Sequence, residues 1–138
     1  MIKFLSFALI IVGIASCTSK QASPDAISRA QSIIPKPVSI SVGSNSIRWE
    51  EPIAIIAQTE EEKKVAQFVL EFFQMKKIEA SIVTESDKDN PISLIITDTP
   101  DLGKEGYSLI SGEEGVIIKA NTSAGLFYGV QSFLQMMT

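Results

Sequence analysis

The sequence predicts an α+β domain, a mixed sheet of about five or six strands with two helices packed on one face. Three observations carry that expectation. Short apolar runs rich in β-branched residues recur along the chain. An amphipathic helix with an acidic start separates two of them, and a second helix, marked by two glycines four residues apart, closes the sequence. At 138 residues with 45% hydrophobic side chains, the chain suits one folded domain.

The lead-in Ile33-Ile34-Pro35-Lys36-Pro37 holds two prolines one residue apart, which force extended backbone and exclude helix. Val38-Ser39-Ile40-Ser41-Val42 alternates apolar and polar residues as a half-buried strand does. Gly43 to Ser46 reads as a turn and Ile47 to Trp49 as the return strand. After Pro52, Ile53 to Ala57 is a continuous apolar run suited to a strand covered on both faces.

Thr59 and Glu62 then have the spacing of a capping box, and Glu60, Glu61 and Glu62 place negative charge at the positive end of a helix dipole. Val65, Phe68, Val69, Phe72, Phe73 and Met75 recur at helical steps as one wide core-facing stripe, and Lys76 and Lys77 follow where the dipole favours cations. Adjacent carboxylates on a helix point in different directions, so the acidic triplet reads as a solvated cap rather than a site.

Ala80 to Thr84 completes a strand-helix-strand unit, for which a parallel pairing implies a right-handed crossover. Glu85 to Asn90 is a charged loop that lacks the glycine and distal glutamate of a calcium loop. Ile92 to Thr97 is a further strand. Gly106 to Ile110 and Val116 to Ala120 flank Ser111 to Gly115 as a hairpin.

In the last helix Asn121 or Thr122 is the cap, followed by Ala124, Phe127, Tyr128, Phe133, Leu134, Met136 and Met137. Gly125 and Gly129 each cost about 1 kcal/mol against alanine in a helix interior, which marks close backbone approach to another element. The apolar residues run around more than one stripe, and no glycine cap ends the segment. One side is expected to cover the sheet. The other, with Phe127, Tyr128, Gln131 and Gln135, is expected to meet a neighbouring domain that the sequence does not include.

Twelve basic against 16 acidic residues give a net charge of -4, which offers nucleic acid no electrostatic footprint. Histidine is absent, which removes imidazole bases and imidazole metal ligands. The single cysteine, Cys17, can close no internal disulfide and build no thiolate cluster. No metal and no cofactor is expected.

The opening MIKFLSFALIIVGIASC has a basic residue, Lys3, and an apolar run from Phe4 to Ile14. That run falls short of the roughly 20 residues a bilayer span needs. Ile14-Ala15-Ser16-Cys17 resembles the lipobox of bacterial lipoproteins. That resemblance implies a signal peptide over 1–16, lipidation at Cys17 and attachment to a membrane of the bacterial cell envelope, on the periplasmic face or the cell surface. Residues 17–32, polar and small, then read as a flexible tether and 33–138 as the folded domain.

The opening IPKP and the stretch DLGKEGYSLISGEEGVIIKANTSAGLFYGVQSFLQMM resemble the N-terminal domain that precedes the catalytic barrel of family 20 β-N-acetylhexosaminidases. Glu105, Tyr107, Leu109, Ile117 or Ile118, Ala120, Gly125, Leu126, Phe127, Tyr128, Gly129, Gln131 and Gln135 carry the pattern. Ser132 stands where a threonine is usual. The resemblance implies a (β/α)8 barrel C-terminal to this chain. It also implies removal of terminal β-linked N-acetylhexosamine by a substrate-assisted mechanism, with the working Asp-Glu pair on that barrel. No such motif is in this sequence, so no catalytic residue is assigned and the chain is expected to be inactive alone. A stand-alone surface lipoprotein that binds glycan or protein, with Trp49, Tyr107 or Tyr128 stacking on a sugar, is the alternative. An inhibitor or chaperone of a separate barrel is the third reading.

Overall fold

The computed structural model describes residues 24–43 and 47–138. Eight elements form: α1 (Pro24–Gln31), β1 (Ile53–Ile56), α2 (Glu60–Met75), β2 (Ala80–Val83), β3 (Ile92–Ile96), β4 (Tyr107–Gly112), β5 (Gly115–Ala120) and α3 (Ser123–Met136). The five strands make one mixed sheet in the order β2-β1-β3-β5-β4. Every pairing is parallel except the β4–β5 hairpin. The α+β class therefore holds, with five strands.

Register explains the core. Ile55 pairs with Ile92, Ile92 with Val116, Leu94 with Ile118, and Ile96 with Ala120. Side chains two apart share a sheet face, so these rows bring Ile53, Ile55, Ile92, Leu94, Val116, Ile118 and Ala120 to one side. Val65, Ala66, Val69 and Phe73 of α2 and Leu126, Val130 and Phe133 of α3 complete that core. On the opposite face Ile56, Ser93, Ile95, Ile117 and Lys119 are only half-buried. The β1 run was expected to be covered on both sides; Ala54 is buried, but Ile56 is not, because both long helices lie across one face.

Two differences concern the N-terminal part. The stretch read as a tether contains a third helix, α1, where Pro24 supplies a preset φ, Asp25 sits in the first turn, and Arg29 reaches Asp25 at 2.8 Å. Eight residues are too few to hold a helix alone; α1 packs on α3, with Ala30 and then Ile33 buried. The expected strands Val38–Val42 and Ile47–Trp49 form no ladder among the described residues. Trp49 is fixed another way. Its ring stands edge-on to Phe73 and Phe133 at 6.3 and 6.2 Å, and its Nε1–H donates to the Asn90 carbonyl at 2.8 Å.

The hairpin turn is tighter than the five-residue loop the sequence suggested. β4 runs on to Gly112, which pairs with Gly115, leaving Glu113 and Glu114 as the turn. Gly115 has a φ of 95°, a conformation glycine adopts without strain.

Candidate functional site

The two long helices carry more apolar surface than the sheet covers. At about 100° per residue, the apolar positions of α2 spread over roughly 180°, wider than one buried stripe. Val65, Ala66, Val69 and Phe73 turn into the core, whereas Phe68 is 44% and Met75 76% exposed. The sequence reading places Val65, Phe68, Val69, Phe73 and Met75 on one core stripe. The width of the arc was the signal that a second stripe exists.

α3 divides in the same way. Thr122 caps it, its Oγ1 accepting the Gly125 N–H at 3.2 Å, while the alternative cap Asn121 instead pins the Thr99 backbone through two hydrogen bonds. Leu126, Val130 and Phe133, at i, i+4 and i+7, are buried. The adjacent stripe of Phe127, Gln131 and Leu134 is half-buried, and Tyr128 is 42% exposed. A Cβ on Gly125 would lie 2.5 Å from the Gly106 carbonyl oxygen, and one on Gly129 2.5 Å from Ile118 Cγ2. The close approach expected from these glycines is therefore to the β4–β5 hairpin. The Tyr107 hydroxyl, 2.6 Å from Ser132 Oγ, ties helix to strand at the same place.

The Phe68 and Phe127 rings meet edge-to-face at 5.1 Å, and Phe127 lies 6.0 Å from Tyr128. Elsewhere, at the C-terminal end of α2, Lys76 Nζ stands 5.6 Å from the Phe72 ring centre, a cation–π distance. Phe68, Phe127 and Tyr128 together make an aromatic surface shared by α2 and α3. Of the four residues expected to meet a neighbour, Phe127 and Tyr128 lie in ring contact, and Gln131 shares the half-buried stripe of Phe127. Gln135 is engaged within the chain. Its Oε1 accepts the Ile34 N–H and its Nε2 donates to the Ile34 carbonyl, each at 2.9 Å. Phe133 is sequestered, while Met136 and Met137 are half-buried. Trp49 and Tyr107 pack against the core, which leaves Tyr128 as the exposed aromatic among the three considered for sugar stacking.

The acidic cap also differs from expectation. Glu60 and Glu61 are exposed, but Glu62 is only 4% accessible. Its Oε2 accepts the N–H groups of Gln58 and Thr59 at 2.8 and 2.9 Å, and Oε1 accepts the Ile96 N–H at 2.7 Å. Burial pushes the carboxyl pKa up, but these backbone donors, led by Ile96, outweigh it and hold the group below its ordinary value. Glu62 thereby joins the start of α2 to the ends of β1 and β3.

Among the described residues no group of three or more His, Cys, Asp or Glu side chains could hold a metal ion, and no helix is long and apolar enough to cross a membrane. Cys17 and the segment read as a signal peptide lie outside the described residues. The aromatic surface offers rings and amides, groups that bury area and form hydrogen bonds against a second surface.

A family model for glycosyl hydrolase family 20, domain 2, matches residues 30–138. A beta-hexosaminidase of Porphyromonas gingivalis is 26% identical over 136 residues, covering 92% of this chain and 17% of that protein. Beta-hexosaminidase subunit A2 of Dictyostelium discoideum is 28% identical over 140 residues, covering 97% and 25%. Among solved structures, the N-acetyl-beta-hexosaminidase of Streptomyces plicatus in complex with Thio-NAglucal superposes with a TM-score of 0.67 at 26% identity, over 86% of this chain and 23% of that one. The chain thus spans a quarter or less of the length of these relatives.

Proposed function

Because the chain belongs to glycosyl hydrolase family 20, forming its domain 2 over residues 30–138, we propose that it is the N-terminal accessory domain of a lipid-anchored β-N-acetylhexosaminidase. In this reading a (β/α)8 barrel that follows the domain removes terminal β-linked N-acetylhexosamine from glycans, and the present residues carry no part of the chemistry. Lipidation at Cys17 attaches the protein to the bacterial cell envelope.

The observation that carries the reading is the aromatic surface of Phe68, Phe127 and Tyr128, with the exposed Met75 on the same helix face as Phe68. A half-buried ring flanked by two exposed ones is the kind of apolar patch that marks an interaction surface, and a second protein domain is the occupant this reading assigns to it. Phe68 and Phe127 flank the stripes that seal the sheet, and Tyr128 faces outward beside them, which suits a second domain packed over the helical layer.

Hydrolysis of an aryl N-acetylglucosaminide is the test. The 138-residue chain is expected to give no turnover, whereas a polypeptide that continues into a barrel turns the substrate over and protects Tyr128 from surface labelling. Turnover by the 138-residue chain, or a freely labelled Tyr128 in the longer polypeptide, counts against the proposal. A monodisperse 138-residue chain with glycan affinity would favour a stand-alone binding protein. For the anchor, incorporation of a labelled fatty acid that survives Cys17→Ser defeats the assignment.

A further inference from the structure

Val38 to Val42 has the composition of a strand and no strand beside it. Val38 is fully exposed, Ile40 is 40% exposed, and Ser39 and Ser41 face solvent. Among the described residues, the backbone from Lys36 to Gly43 makes no hydrogen bond. A helix or a side-chain surface laid over such a segment would bury its peptide groups unsatisfied. Water serves these exposed groups in the domain as it stands; once the segment is covered, a second extended segment is the partner that supplies donors and acceptors along its whole length.

A separate observation says where that segment comes from. The Gln135 amide grips both backbone groups of Ile34, so the end of α3 lies against the lead-in. Val38 follows Ile34 by four residues, about 13 Å of extended chain, and Thr138 follows Gln135 by three. Polypeptide leaving α3 therefore starts within reach of Val38 for a short further stretch of chain. We infer that Val38–Val42 is a receiving strand, and that an extended segment of the polypeptide beyond α3 pairs with it by β-augmentation. The inference rests on the proposed longer chain, since it names the piece of that chain that docks and the place where it docks.

Residue-resolved amide hydrogen exchange tests it on the 138-residue chain and on the longer polypeptide. In the 138-residue chain the amides of Ser39 to Val42 are expected to exchange at open-chain rates. In the longer polypeptide one alternate set, Ser39 and Ser41 or Ile40 and Val42, is expected to slow by about 100-fold or more, because only every second amide faces the partner. Protection already present in the 138-residue chain would mean pairing with a free edge of the domain's own sheet, which overturns the inference. Open-chain exchange in the longer polypeptide, with Tyr128 protected from labelling, overturns the inference and leaves the accessory-domain reading standing. If neither region gains protection, both fall.

Discussion

Val38–Val42 and Val116–Ala120 are both five-residue segments built on β-branched residues, yet only the second is a strand. β5 lies between β3 and β4, its peptide groups are paired on both sides, and Val116, Ile118 and Ala120 are buried under the helices. The earlier segment has the sharper alternation and neither a paired edge nor a covering layer. Alternation reports which face a segment is able to bury. Whether it becomes a strand depends on a neighbour with free backbone groups, and that is a property of the whole fold.

Four substitutions break or sharpen this contrast. Phe73→Ala removes a fully buried ring that also packs on Trp49, and is expected to destabilise the domain by about 3–5 kcal/mol in denaturant unfolding. Gly129→Val would force a side chain into Ile118 and the Tyr107 ring, with an expected loss of about 3 kcal/mol and a lower thermal midpoint. Midpoints close to the parent's for both variants would mean that the β5 layer is no better supported than Val38–Val42.

Glu62→Gln keeps the shape of the side chain but puts an NH2 where an acceptor is needed, for an expected loss of about 1–3 kcal/mol near neutral pH. The folded carboxyl is held below its ordinary value, so its stabilisation is complete above about pH 4.5 and fades as the pH falls through the folded pKa. Parent and variant midpoints should therefore converge in acid; a gap that stays constant from pH 7 to pH 3 contradicts the assignment. Val38→Ser is the smallest change, within about 0.5 kcal/mol in the 138-residue chain, because the side chain is fully exposed. A loss comparable to that of Phe73→Ala would show that the segment is already packed.

The parts of the fold legible in sequence were those whose cause is local. The Thr59–Glu62 capping box and the paired glycines of α3 each state a conformational requirement within a few residues, and the structure meets both; of the β-branched runs, those that became β1, β2, β3 and β5 have a paired neighbour and Val38–Val42 does not. What was hidden depends on distant partners. Nothing near Glu62 announces that its second oxygen serves Ile96, 34 residues away, and nothing near Gln135 announces its grip on Ile34. α1 forms in a polar stretch because α3 offers a surface for Ala30. Of the candidate site, Phe127 and Tyr128 were readable from the excess apolar width of α3. Phe68 and Met75 were absorbed into the core stripe, since periodicity marks a helix face without saying how much of it the sheet can cover.

The amide pair between Gln135 and Ile34 has a mechanical corollary. Tension pulling on the backbone before Ile34 and after Gln135 would run through this small clasp. The parallel ladders would feel almost none of it until the clasp opened. Pulled at those two points, the domain would yield first at its fastening, with the five strands still in register.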